Sequence, residues 1–456
     1  MKRLGSVCVV LAIALALAGC GGGASSSSGG FQSGQGAVFV TGEDAPLPSV
    51  VAFNITLNTV TLNNSSGSVQ ILPQLTTVDF ARLVGMRSLL GFNTVAPGTY
   101  TSATITMASP VISYLNIGTN PPTVNTLNGT LTSSTVTVSF AHPMVVDQNG
   151  LAGLHMDFDL RQSLQTDTAG QITGAIDPHI FLQTVRASDD DGQITDLNGG
   201  LASVNLANGS FVMQRIGGFQ VTVDVNAQTE FNGSWSLSSL ATPAFVSVEG
   251  TVQADGSILA SEVEVVSTSH AFVSGRILAV NPTTGPVETV TMFVGEELPT
   301  ISSIPADSVV TLDLSQVSHY DICFFDNWFT NILFNNSSLV VGQRIFVGGG
   351  YDGTTFTPQM ISLRRQGVVG DLVQGSVNIT SGNTGSFQLQ NNFLLGYVLG
   401  APLTVQTGTG TRFVNINGLA GLETAGSTNL VVRGLILKNQ TTGAPQMWAH
   451  RVRVLQ

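Results

Sequence analysis

Lysine is nearly missing from this chain. After Lys2 the 456 residues contain one more, Lys438. Charged residues of every kind make up 10% and the formal net charge is −12, whereas an ordinary soluble domain is about 25% charged. Proteins that grip phosphate backbones do so with clustered Lys and Arg, so nucleic acid is excluded as a partner. The Glu- and Lys-rich heptads of a coiled coil are missing too. So are the short signatures of common chemistry. There is no Gly-x-Ser-x-Gly around a serine nucleophile, no His-Glu-x-x-His or paired Cys-x-x-Cys for zinc, and no phosphate-cradling glycine loop. The histidines are few and scattered. Gly, Ser, Thr, Asn and Gln fill the gap around a 43% hydrophobic content. That composition gives a polar, uncharged surface over cores that a chain of this length can easily fill.

The first residues read as an address. Lys2 and Arg3 precede an apolar run from Val7 to Ala18. These are the charged and apolar regions of a signal peptide, and the run is shorter than the roughly 20 residues a membrane span needs. Leu17-Ala18-Gly19-Cys20 follows. This resembles the bacterial lipobox. The resemblance implies a lipoprotein signal peptide over 1–19, acylation of Cys20, and a membrane as partner through the N-terminal lipid. Gly21 after the cysteine resembles sorting toward an outer membrane or the cell surface. Residues 20–36 then form a tether, with Gly21 to Gly30 a flexible Gly/Ser spacer. With Cys8 removed and Cys20 acylated, only Cys323 remains, so no intrachain disulfide staples the fold.

Beyond Gly36 the pattern is strand. Thr135-Val136-Thr137-Val138-Ser139-Phe140 alternates strictly, and Phe219 to Val225 does nearly the same. Period two puts one face in a core and one in water. Asn128-Gly129, Asn149-Gly150, Asn208-Gly209, Asp255-Gly256 and Asp352-Gly353 supply turn residues that accept positive φ. The expected class is all-β and antiparallel. One helix is predicted over Asp79 to Leu90, where Phe80, Leu83, Val84, Met86, Leu89 and Leu90 fall near helical spacing. It would cover an open end of the first domain.

That domain, 37–188, carries Asp44-Ala45-Pro46 near its start, Pro97-Gly98-Thr99-Tyr100 in its middle and Asp157-Phe158-Asp159-Leu160 toward its end. In this order the motifs resemble a family of bacterial lipoprotein domains of unknown function. The resemblance implies a β-sandwich outside the cell and no particular activity. The remainder repeats at intervals of roughly 90 residues, too long for a solenoid. Val246-Ser247-Val248-Glu249-Gly250 returns as Leu430-Val431-Val432-Arg433-Gly434, and Gly209-Ser210-Phe211 as Gly385-Ser386-Phe387. This pattern resembles tandem copies of a second uncharacterised family of exported β-domains. Three small β-barrel-like repeats are therefore expected after the N-terminal sandwich, at 196–272, 273–366 and 367–456.

Few residues point to chemistry. Asp189, Asp191 and Asp196 form the densest acidic stretch and can offer oxygens to Ca²⁺, though without EF-hand spacing; the plainer reading is a solvated linker. Asp157 and Asp159 share a strand face. They are candidate acid/base groups for a glycan-active enzyme, or else an outward polar face beside Arg161. Asp44 reads as a turn or capping residue. The aromatic stretch His319 to Phe329 places Tyr320, Phe324, Phe325, Trp328 and Phe329 together around Cys323. Exposed, it is a contact patch for a glycan or an envelope protein; buried, it is a helical plug. The reading that follows is a non-enzymatic, lipid-anchored envelope protein for surface interaction, adhesion or scaffolding. A glycan-active enzyme and a Ca²⁺-dependent glycan-binding module are its alternatives.

Overall fold

The computed structural model describes residues 34–47, 49–72, 74–116, 118–119, 122–168, 171–215, 219–267, 271–322, 332–391 and 401–455. Cys20, Cys323, Phe324, Phe325, Trp328 and Phe329, and with them most of the stretch read as an aromatic patch or helical plug, lie outside them. The fold is all-β, 61% strand and 6% helix. Among the described residues no helix is long and apolar enough to cross a membrane.

Unit 1 is built from two main sheets. In the first, Gly36–Ala45 lies between Leu151–Asp159 and Ser88–Val95, with Ile180–Val185 on the outer side of Leu151–Asp159. In the second, the long strands Val50–Asn64 and Gly98–Asn116 pair antiparallel and carry four shorter partners. Val38, Val40, Leu154 and Met156 from one sheet meet Phe53, Ile55, Leu57 and Ile105 from the other in one core. The antiparallel expectation fails at the centre, because Gly36–Ala45 and Leu151–Asp159 run parallel. A parallel pair needs a long crossover, and here the whole second sheet supplies it.

The predicted helix over Asp79 to Leu90 shrinks to one 3₁₀ turn, Phe80–Leu83. Its apolar residues are buried as their spacing required. But Thr76–Asp79 and Ser88–Val95 are taken by sheets, and Gly85 turns the chain with φ +62°. Short apolar runs do not distinguish a strand from a helix, and here strand pairing decided.

Units 2, 3 and 4 each contribute one sheet, within residues 194–267, 271–364 and 366–454. In units 2 and 4 the strand path closes on itself, through Gln220–Asp224 with Ile258–Ser267 and through Gln366–Leu372 with Thr384–Asn391. A glycine marks the same bulge in each unit. A Cβ on Gly250, Gly349 or Gly434 would overlap a backbone carbonyl of the next strand, and the register shifts there. The close approach that bends the sheet is open only to glycine.

The units do not extend outward one after another. They form a five-bladed, propeller-like arrangement rather than a sandwich followed by three separate barrels. Apolar clusters cross the boundaries. Val51, Val84, Leu278, Phe293, Val369 and Val431 join units 1, 3 and 4, and Phe245 of unit 2 stacks on Phe272 of unit 3 at 5.3 Å. Each unit also turns charged residues toward its neighbours.

Candidate binding cleft and the buried ionic cluster that fixes it

A chain with so few charges buries many of them. Asp196, in unit 2, is 2% exposed. It accepts from Arg82 of unit 1 at 2.9 Å and from Arg344 of unit 3 at 3.0 Å. Arg82 also reaches Glu296 of unit 3 at 2.6 Å. Arg453 of unit 4 donates to Glu43 at 2.8 Å and to Asp191 at 2.5 Å, and Arg87 meets the same Asp191 at 3.2 Å. Further across, Arg365 meets Glu262 at 3.0 Å, Arg433 pairs with Glu249, Arg364 with Glu264 and Arg451 with Asp190. Burial alone disfavours charge on Asp196, yet Arg344 and Arg82 hold its pKa down to about 2. Burial likewise opposes charge on Glu43, but Arg453, His155 and Arg87 together outweigh it, so this carboxyl stays well below the usual range. A buried ion is tolerable only with such partners.

These contacts set unit 1 against unit 2, and a cleft of about 520 Å³ lies between them. One wall is Leu72, Gln74, Thr76 and Leu89 to Phe92; the other is Val212, Phe219 to Thr222, Asp224 and Asp255 to Ser257. Gln74, Thr76, Leu90 and Phe219 are shared with an adjoining space of about 300 Å³. Asp79, Arg82, Arg215 and Glu296 line that second space, with the 69%-exposed Leu75 at its rim. The cleft thus runs from apolar and aromatic walls into a charged end. Arg215 donates to the carbonyl of Leu89 at 2.5 Å and to Ser88 Oγ at 3.0 Å, and stacks over the Phe219 ring at 4.7 Å. Burial lowers its pKa to about 10. Burial, and then Asp307, push Asp79 up to about 7.

The predicted candidates fall elsewhere. Asp189, Asp191 and Asp196 do not share a cation. Asp189 accepts from the backbone N–H of Arg186 at 2.9 Å to close a turn, and the other two face arginines. Among the described residues no three His, Cys, Asp or Glu side chains are grouped to hold a metal. Nor is the stretch a solvated linker, because Arg87, Arg451 and Arg453 draw it into the ionic cluster. Asp157 and Asp159 do not form an outward polar face. Asp159 caps the turn Leu160–Ser163, accepting from the Gln162 N–H at 2.9 Å. Burial, with Glu43 next, raises Asp157 to about 6. Asp44 is no turn residue; it is buried within a strand, and burial and Asp157 keep its carboxyl well above the usual range. Tyr320, on His319–Ile322, packs edge-on against Phe334 at 6.0 Å beside the unit 3 core. None of these residues lines the cleft. Its walls were missed because Phe92, Phe219 and Arg215 carry no motif.

Comparison with known proteins agrees with this division. Residues 35–173 match the family described as "Domain of unknown function (DUF4382)". Residues 191–264 match "Domain of unknown function (DUF5666)". Both are therefore similar to uncharacterised families, and the second match covers one of the three C-terminal units. No curated protein matches the chain. A solved structure, "drosophila Unr CSD456", aligns over 57% of this chain and 98% of its own at 9% identity. Its TM-score of 0.14 carries no argument about fold or function.

Proposed function

We propose that this chain is an exported, lipid-anchored, non-enzymatic recognition protein of the bacterial cell envelope, with the cleft between units 1 and 2 as its binding site. The observation that carries the reading is the cleft itself. Its two walls come from different units that buried arginine–carboxylate pairs lock together, so the site is formed before any ligand arrives, and preorganised sites lose less on binding. Lipid at Cys20 and the Gly/Ser tether would hold this rigid body at a membrane surface. One acyl chain is a weak anchor and several make a durable one.

Two measurements test the reading. The full chain expressed in a bacterium with an outer membrane is expected to take up labelled palmitate and fractionate with membranes, and Cys20→Ala to do neither. Label-free, soluble wild-type chain would overturn the anchor. Separately, a panel of glycans, peptides and cell-wall fragments is screened by thermal shift. At least one class is expected to raise the melting temperature by a few degrees near a hundredfold excess over its Kd, with the shift lost in Phe219→Ser. If no class shifts the wild type, the cleft is not a binding site.

A further inference from the structure

Two strand edges face each other across the cleft. Ser88–Val95 ends its sheet, with Gly36–Ala45 on one side and, among the described residues, no strand beyond. On the opposite wall, Gln220–Asp224 is paired along its length with Ser210–Arg215. Toward Ile258–Ser267 it pairs only at Val223 and Asp224. Gln220 to Thr222 are therefore unpaired on that side among the described residues. Leu89 to Phe92 and Gln220 to Thr222 are the very segments that line the cleft. Unpaired strand edges are templates for another extended chain.

The charged end adds a requirement. Arg82 is committed to Asp196 and Glu296. Glu296 is committed to Arg82, Asn198 and Ser274. Asp79 accepts from the Phe53 N–H through Oδ1 at 2.8 Å. Arg215 differs. Its guanidinium reaches only a carbonyl and a hydroxyl, no carboxylate lies within ion-pair distance among the described residues, and its buried Nε has no partner. A guanidinium fork with free donors fits a carboxylate.

Resting on the cleft as the binding site, we infer that its ligand is an extended peptide that adds along these edges and seats a carboxylate on Arg215. Apolar side chains of the peptide lie against Leu72, Leu90, Phe92 and Val221. Backbone hydrogen bonds to the strand edges give affinity, and the carboxylate fixes register and direction.

The test uses the purified full chain and calorimetric titration with three N-acetylated apolar tetrapeptides. One has a free C-terminus, one is its amide, and one is an amide that carries a glutamate. The free acid is expected to bind roughly tenfold or more tighter than the plain amide, the gain of one charge-assisted pair. If the glutamate peptide alone beats the plain amide, the carboxylate comes from a side chain and the inference stands. In Arg215→Gln the preference is expected to vanish, so that the free acid and the plain amide bind alike. That comparison needs no variant to succeed, since the acid and amide are compared on the unaltered chain first. Equal binding of all three overturns the role of Arg215. Binding of an oligo-uronate or neutral glycan with no peptide bound overturns the peptide and leaves the cleft standing. Silence from every probe overturns both.

Discussion

Replacing Asp196 with alanine is expected to cost about 3–5 kcal/mol of unfolding free energy, the scale for breaking a buried ion pair from one side. Two guanidinium groups depend on this carboxylate, one from unit 1 and one from unit 3. Asn198 also donates to it at 3.0 Å. Alanine leaves Arg344 buried against the sulfur of Met86, the carbonyl of Arg365 and the ring of Phe346, none of which carries a full negative charge. Arg82 keeps Glu296 and is hurt less. Urea unfolding should show a lower midpoint, and the transition should split if unit 3 detaches before the rest. The exposed Glu423→Ala is the control and should change stability by no more than about 0.5 kcal/mol. A loss for Asp196→Ala as small as the control's would mean that the cluster does not hold the units together.

Stability is also expected to rise as pH falls from 8 to about 5. Asp79 titrates at about 7 and Asp157 at about 6 in the folded protein, and Asp44 is raised as well. In the unfolded chain all three titrate near 4. Between about pH 4 and 7 the folded state therefore holds protons that the unfolded state lacks, and unfolding free energy falls as pH rises through that window. Asp196 and Glu43 act in the opposite sense. Their folded pKa values are depressed, so their stabilisation is complete above the unfolded pKa and is lost as pH drops below about 4. The two trends place the optimum near pH 5. Asp79 alone should account for about 2 kcal/mol of the slope between pH 5 and 8. Asp79→Asn keeps the bond from the Phe53 N–H and removes the titration, so it should flatten the profile and gain stability at pH 8. Urea midpoints at pH 5 and 8 decide the matter; a wild type more stable at pH 8, or an unchanged slope in the variant, sinks the argument.

The all-β class was legible because its signals are local. Asn149, Gly209, Gly256 and Gly353 take the positive φ that their turn pairs announced. The short helix failed because residues 79–90 carry an apolar pattern that a strand can bury equally well, and the competing strand, Gly36–Ala45, lies some 50 residues away in sequence. The ionic cluster was not legible at all. Its pairs join residues 114, 148 and 410 positions apart, a separation no periodicity records. One cue was available. Glu249 and Arg433 occupy the same place in two copies of the repeat, each before the bulge glycine and each inside an apolar strand. A charge there needs a partner, and the two turn out to be partners of each other. The cleft had no cue, since strand edges become walls only once two units are set side by side.

The link between Glu43 and Arg453 joins the first strand of the fold to the last. During synthesis the N-terminal end emerges first. Glu43 and Asp191 must then wait for a partner that arrives with the final residues, with Arg87 beside both and His155 beside Glu43. The ionic link between the first strand and unit 4 stays unmade until Pro445–Val454 is available. Contacts this distant along the chain form slowly, and an open intermediate exposes the apolar seams that later join units 1, 3 and 4. The last strand is in that sense a latch. A chain cut just before it would keep every other strand and yet lose Arg451 and Arg453, which tie unit 4 to Asp190, Asp191 and Glu43.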